Sequence, residues 1–453
     1  MPGAFHNSLE RGDPPKCHKR TREAILNKIM DWVMKKIETD AFMMWLYGAA
    51  GAGKSAIAQT IAELREEHKL LLASFFFFRA DSLRSTSKQL VATIAYQISV
   101  VIPGVGALME AAIDKDPHLL SRSLITQFMA IIVDPLERLF ETSVGEHMDL
   151  PKLIIIDGLD ECMDGTQAQI LDMIFAIGKR SKFPFGFLVA SRPELEISAA
   201  MGDGRIREGL TRLPLDADIT SRDDIRRFLE DQFEEIRLTH PLRSELPSFW
   251  PLSEDIKTLV YKSSGQFIYA STVVKFVSSR RHRPDHRLEI ILDLRPKGKD
   301  LPFAELDALY RYVLSSIEDT ATTVHIIATA LTLRYGAHIA ALTFILDLSP
   351  GDIKLRLIDL GSLVEYEEYD YLNILHASLA DFLFDEFRSQ ELYIDPQLIH
   401  TKIAQAFLRE DLKPDTGKPF ICCQLLCHTK TYYQTSLGFI DMIIYNTTVL
   451  TQN

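Results

Sequence analysis

Met43-Met44-Trp45-Leu46-Tyr47-Gly48-Ala49-Ala50-Gly51-Ala52-Gly53-Lys54-Ser55 is the stretch that decides how this chain folds. Five apolar residues run straight into a segment that fits G-x-x-x-x-G-K-[ST] at every fixed position. An amphipathic pattern with Ile57, Ile61 and Leu64 on one face follows it. Glycine is needed where a backbone curls around phosphate with its N–H groups pointing inward, because a Cβ would block that approach. The positive end of the following helix adds to the attraction. The expectation is that Gly48, Ala49, Ala50, Gly51, Ala52, Gly53, Lys54 and Ser55 cradle the phosphates of ATP or ADP. Lys54 would reach the β- and γ-phosphates, and the Ser55 hydroxyl would ligate Mg²⁺.

Working outward, short apolar runs alternate with helical patterns. The runs are Phe42–Tyr47, Leu70–Phe78, Leu153–Ile156, Phe185–Ala190 and, less clearly, Ile206–Leu215. Ala56–Glu66, Lys88–Val100, Leu124–Phe140 and Gln167–Ile177 lie between them with apolar residues at three- and four-residue spacing. Such alternation predicts an α/β domain, a parallel sheet covered by helices on both faces. Four phenylalanines at 75–78 fit a strand buried on both sides. After Pro214 the pattern turns helical, at Asp218–Glu235, Ser253–Ser264 and Gly265–Ser279, and then passes a basic connector, Arg280–Arg287. A helix at Leu306–Ile317, two further helical patterns and a small hairpin around Ser362–Tyr371 suit a winged-helix module. The expected division is a lead-in helix at 1–40, a nucleotide domain at 41–215, a helical domain at 216–300, a winged-helix-like domain at 301–395, and at 396–453 the start of a second helical region that is cut short. Residues 1–20 read as polar and loosely ordered, and Ile25, Ile29, Trp32, Val33 and Ile37 as the lead-in helix.

Lys152-Leu153-Ile154-Ile155-Ile156-Asp157 is an apolar run ending in a carboxylate, the pattern of a Walker B strand whose acid emerges beside the phosphate loop. Asp157 is therefore expected on Mg²⁺. The next position, where many P-loop ATPases keep a catalytic Glu, is Gly158; carboxylates return at Asp160 and Glu161, either of which would orient or deprotonate the attacking water. Arg192, in Ala190-Ser191-Arg192-Pro193, would project beside the γ-phosphate if the fourth strand lies between the strands bearing the loop and Asp157. No Asn/Thr-Lys-x-Asp guanine reader is present, so adenine is the expected base.

The chain has 453 residues, 47% hydrophobic and 25% charged, with a net charge of −12. That length needs more than one core, and the acidity argues against nucleic acid as a partner. Over 301–390 there are 14 Asp plus Glu against 5 Lys plus Arg, the reverse of a groove-binding winged helix. Five unevenly spaced cysteines, a polar Met1–Lys16 and no apolar run near the ~20 residues of a membrane span point to a cytoplasmic protein with free thiols. Cys422, Cys423, Cys427 and His428 read as thiols on a helix, not a zinc site. The sequon at Asn446 then reads as a chance match.

Taken together, three segments resemble a NACHT-type NTPase of the nephrocystin-3-like group abundant in fungi, among the signal-transducing ATPases with numerous domains: Trp45 through Ser55, Ile154-Ile155-Ile156-Asp157-Gly158-Leu159-Asp160-Glu161-Cys162, and Ala190-Ser191-Arg192-Pro193-Glu194. Cys17-x-x-x-Thr21-Arg22-Glu23, Ser74–Phe78, Thr93–Gln97 and Gly265–Ala270 extend the resemblance over about residues 17–390. It implies a switch closed on ADP and opened by ATP, with slow hydrolysis, nucleotide-dependent oligomerisation with other protein chains, and a setting in innate-immune-like or incompatibility signalling. It also implies that His376, in the winged-helix motif Leu375-His376-Ala377-Ser378-Leu379-Ala380-Asp381-Phe382-Leu383, contacts the β-phosphate of ADP. An AAA+-like remodelling ATPase and a non-enzymatic adaptor plugged by nucleotide are the alternatives. The resemblance also implies a front effector domain and rear repeats, neither of which is expected within these 453 residues. No adenine-contacting motif stands out, with Pro214 and Gly265–Ala270 as candidates.

Overall fold

Apolar runs too short for helices assemble into a sheet whose two faces are both covered. A computed structural model describes residues 2–411 apart from 13, 37–38, 68–69, 80, 82, 143–151, 216–220, 295–302, 334–336, 368–369 and 377. Ile37, Cys422, Cys423, Cys427, His428 and Asn446 therefore lie outside the described residues. Strands β1 (Met43–Tyr47), β2 (Leu71–Phe76), β3 (Leu153–Asp157), β4 (Gly186–Ser191) and β5 (Leu210–Pro214) form an all-parallel sheet in the order β2-β3-β4-β1-β5. Successive side chains point to opposite faces. Met43, Trp45, Ile154 and Ile156 enter one apolar core and Met44, Leu46, Leu153 and Ile155 the other.

β2 is an edge strand, yet all six of its residues are buried. The Gln97 amide caps its open edge, accepting from Ser74 N at 3.0 Å and donating to Ser74 O at 2.8 Å. Of the four phenylalanines, Phe75 and Phe76 belong to the strand, whereas Phe78 lies past its end and is 38% exposed. Residues 1–20 do not read correctly as a loose tail. Ala4 and His6 are buried, because the segment lies along β2 and the His6 N–H donates to Ser74 Oγ at 3.1 Å. Ile206, expected in a strand, is in the short helix Gly204–Arg207 that precedes β5.

Helices Ser221–Thr239, Ser253–Lys262, Phe267–Val277 and Pro284–Asp293 follow the sheet. The expected connector at 280–287 is partly helix: Pro284 occupies a first-turn position, where its missing N–H costs nothing, and Arg283 pairs with Asp285 at 2.6 Å. Beyond it come Ala304–Ser315, Thr320–Thr332, Ile339–Leu346 and Pro350–Leu357, then a three-stranded antiparallel sheet of β6 (Ala337–His338), β7 (Val364–Glu367) and β8 (Tyr371–Ile374) in the order β6-β8-β7. The helix Ser378–Leu383 leaves this sheet. One apolar core runs through both segments, from Ile225 to Ala406. No helix of the described residues is long and apolar enough to cross a membrane.

Candidate functional site

Parallel register brings the carboxyl ends of the strands to one edge. Tyr47 pairs with Ser191 and Pro214, Asp157 with Ala190, and Phe76 with Asp157. The segment 48–53 leaves β1 at that edge and enters the helix Lys54–Glu67, which puts backbone N–H groups and a helix N-terminus where ligands collect in open α/β sheets. Gly51 and Gly53 have φ of +74° and +93°, a region only glycine enters without strain. At Gly51 a Cβ would also meet Ile268 Cγ2 at 2.2 Å, so the loop is clamped under the helix Phe267–Val277. Lys54 Nζ donates to the carbonyls of Gly48 and Ala49, both at 2.9 Å.

Asp157 is 4% exposed at the end of β3, beside the Ser55 hydroxyl, which donates to its carboxylate. Burial pushes its carboxyl up to about 6, against the pull of Ser55 and of the Arg11 and Lys54 charges. Its Oδ1 is buried and has no hydrogen-bond partner, an arrangement that costs free energy in the bare protein and that a cation would relieve. Among the described residues there is no group of three or more His, Cys, Asp or Glu able to hold a metal by itself. A cation at Asp157 would therefore draw its remaining ligands from the Ser55 hydroxyl, phosphate and water.

Gly158 sits at φ +72°, and the turn it makes separates the next two carboxylates. Asp160, buried, turns toward β4, where its Oδ1 accepts from Arg192 N at 2.9 Å and its Oδ2 meets Arg192 Nε at 3.2 Å. Glu161 accepts from Arg79 N at 2.9 Å. Its carboxyl is pushed up to about 7 by burial, with Asp160 and Asp157 adding to the rise against the Arg79 N–H. The two candidates for water activation thus stand in different surroundings: Asp160 is occupied by a cation, and Glu161 is poised near neutrality.

Arg192 leaves the end of β4, and β4 does lie between β3 and β1. Its Nη1 donates to Asp381 Oδ2 at 2.7 Å, on the helix Ser378–Leu383. A cleft of about 320 Å³ lies there, with Ala49, Ala50 and Arg192 on one side and Ser378, Asp381 and Arg388 on the other. His376 is bonded through Nε2 to Thr272 Oγ1 at 3.2 Å, and burial, with Lys275 nearby, pushes its imidazolium down to about 3. Thr272 Oγ1 donates to Ile268 O at 2.8 Å, one turn from the residue that covers Gly51.

Sequence reasoning quotes Ile268 and Asp381 only within motifs and does not mention Thr272 or Arg11. Only chain folding brings them to the loop, and each alone reads as an ordinary helix or surface residue. Arg22, quoted only within a motif, donates to Ala52 O at 2.9 Å, lies 4.9 Å over the Phe267 ring, and gives its backbone N–H to Asp224 at 3.0 Å. It ties the loop to the helices that follow the sheet. Pro214 closes β5 beside Tyr47, and of Gly265–Ala270 it is Ile268 that reaches the loop.

The family model described as Nephrocystin 3, N-terminal matches residues 20–192. Comparison with curated proteins gives no match. Among solved structures, the chain is similar to a Signal Transduction ATPase with Numerous Domains (STAND) protein with a tetratricopeptide repeat sensor from Pyrococcus horikoshii. The identity is 12%, the TM-score 0.48, and the match covers 88% of this chain and 47% of that one. The chain thus spans about half the length of that protein. The Walker-type ATPase of Pyrococcus abyssi is 14% identical at a TM-score of 0.38, over 81% of this chain and 97% of that one. The Aeropyrum pernix ORC1 protein, solved in complex with DNA, is 12% identical at 0.35, over 85% and 95%. The match at residues 20–192 makes that segment similar to the N-terminal region of nephrocystin 3, and the fold that carries it is a parallel α/β sheet with a P-loop at its carboxyl edge.

Proposed function

We propose that the chain is an ATP/ADP-controlled switch of the NACHT type, closed on ADP, opened by exchange for ATP, and reset by slow hydrolysis. The observation that carries this reading is Arg192. It stands at the end of β4 beside the loop and is bonded at once to Asp160 of its own domain and to Asp381 of the C-terminal segment, at 3.2 and 2.7 Å. The γ-phosphate of ATP competes with Asp381 for the same guanidinium, whereas ADP leaves Arg192 to Asp381. Nucleotide state and domain closure are then two readings of one charge.

In this reading, residues 48–53 and Lys54 hold the phosphates through backbone N–H groups and one ammonium. Ser55 and Asp157 hold Mg²⁺, and the orphaned, buried Oδ1 of Asp157 fits that assignment. When bound, Mg²⁺ would supply charge neutralisation at the phosphates. Glu161 is the general base for water, since a carboxyl near neutrality can both take and release a proton. Asp160, occupied by Arg192, is the residue that aims the arginine. His376 and Thr272 link the hairpin sheet to the helix above Gly51, so that movement of the loop is felt at His376. The segment 301–395, with its helices and antiparallel sheet, is a winged helix acting as a lid. Its net charge of −9, from 5 basic and 14 acidic residues over 301–390, makes protein and not nucleic acid its partner.

The nucleotide content of freshly purified protein tests this. Near-stoichiometric ADP is expected, along with loss of nucleotide in Lys54→Ala. Empty protein, or unstimulated turnover near the roughly ten per second of a median enzyme, would sink the switch.

A further inference from the structure

Residues 2–12 precede the matched segment 20–192, yet Arg11 reaches Phe76, the last residue of β2. Three bonds tie them down: Arg84 Nη1 donates to Gly3 O at 3.0 Å, His6 N to Ser74 Oγ at 3.1 Å, and Gln59 Nε2 to His6 O at 2.9 Å. This fixes Arg11. Its guanidinium lies 3.7 Å over the Phe76 ring and donates to Gln59 Oε1 at 2.5 Å and to His6 O at 3.2 Å. Both contacts point to the same spot. Phe76 is the register partner of Asp157, and Gln59 lies four residues, one helical turn, beyond Ser55. The Arg11 and Asp157 charges attract each other.

We propose that Arg11 is a positioning residue of the metal–phosphate site: a fixed cation from the N-terminal segment that balances Asp157 in the metal-free state and opposes Mg²⁺ when it binds. The inference rests on reading Ser55 and Asp157 as the metal-holding pair. A guanidinium pinned between a ring and an amide cannot swing aside cheaply, so part of its repulsion with Mg²⁺ falls on the docking of the segment. Docking of residues 2–11 and Mg²⁺ binding then weaken each other by the same factor. Whatever pulls on this segment tunes metal affinity at the nucleotide.

The test is ADP binding by the full chain, followed by calorimetry at stepped free Mg²⁺. Arg11→Gln is expected to lower the half-effective Mg²⁺ concentration about five- to tenfold, while weakening ADP binding in the presence of chelator. Arg11→Lys, which keeps the charge, stays near the unmodified chain. Equal half-effective concentrations in Arg11→Gln and the unmodified chain would overturn the proposal. So would an equal loss with and without Mg²⁺ accompanied by a lower melting temperature, the mark of a merely structural role. A second measurement needs no variant: hydrogen exchange at the His6 and Ser8 amides should be faster with Mg²⁺–ADP than with ADP and chelator. Unchanged or slower exchange also overturns it. If instead Asp157→Asn leaves the Mg²⁺ dependence of the chain unchanged, the metal-holding pair itself is misread and the inference falls with it.

Discussion

Asp381→Asn removes one charge from a bond that crosses from the C-terminal segment to the nucleotide domain and leaves side-chain volume almost untouched. In the intact chain Asp381 Oδ2 accepts from Arg192 Nη1 at 2.7 Å, with the two side chains 24% and 20% exposed. A hydrogen bond between ionised groups contributes about 1.5–3 kcal/mol net, and partial exposure moves the value toward the lower end. Arg192 keeps Asp160 at 3.2 Å, so no buried charge is stranded. The larger penalty of about 3–5 kcal/mol for breaking a buried pair therefore does not apply. The working value is about 1–2 kcal/mol, or about 5- to 30-fold in the ratio of closed to open chains. The assay is the release rate of a fluorescent ADP analogue chased with unlabelled ADP, read beside the melting temperature. Release should quicken by that factor while melting barely moves. A release rate within about twofold of the unmodified chain would refute the reasoning. Simple additivity of Asp381→Asn and Arg192→Gln would do the same, since two ends of one bond must overlap.

Three further outcomes are expected. Glu161→Gln should keep ATP binding but lower hydrolysis about 10²- to 10⁴-fold; in the unmodified chain the rate should rise with pH through about 7, as the Glu161 carboxyl loses its proton. A pH-independent rate measured by phosphate release would remove Glu161 as base. Gly51→Ala meets Ile268 at 2.2 Å and holds a side chain at φ +74°, so the melting temperature should fall by an amount equivalent to about 1–3 kcal/mol; an unshifted melting curve would mean that the helix above the loop is free to move. His376, held neutral with its pKa pushed down to about 3, favours the folded form above the ordinary histidine value near 6.5. Below that the unfolded chain takes up the proton first, so stability falls by up to about 1.4 kcal/mol per pH unit as pH drops from 6.5 toward 3. Denaturant melts of His376→Gln across that range should show a flatter slope.

The sequence alone determined the nucleotide half of this protein, because its determinants are local. A strand, a glycine loop and a helix are contiguous from Met43 to Glu67, and an apolar run ending in Asp157 announces a second strand by itself. Period and turn chemistry suffice for that, and the order of β4 between β3 and β1 followed once the unit was recognised. Boundaries and the outer elements were harder. The helix Pro284–Asp293 hid behind a basic run, and Phe78 behind three buried phenylalanines, because burial depends on where a strand ends, not on composition. What only the tertiary structure decided is who meets whom across long separations. Asp381 finds Arg192 from 189 residues away, His376 finds Thr272 from 104, and Arg11 finds Gln59 from 48. The same holds for the separate fates of Asp160 and Glu161, adjacent in sequence but parted by the left-handed turn at Gly158. Charge and hydrogen-bonding capacity are written in each residue. The partner that uses them is chosen by packing, which no local pattern records.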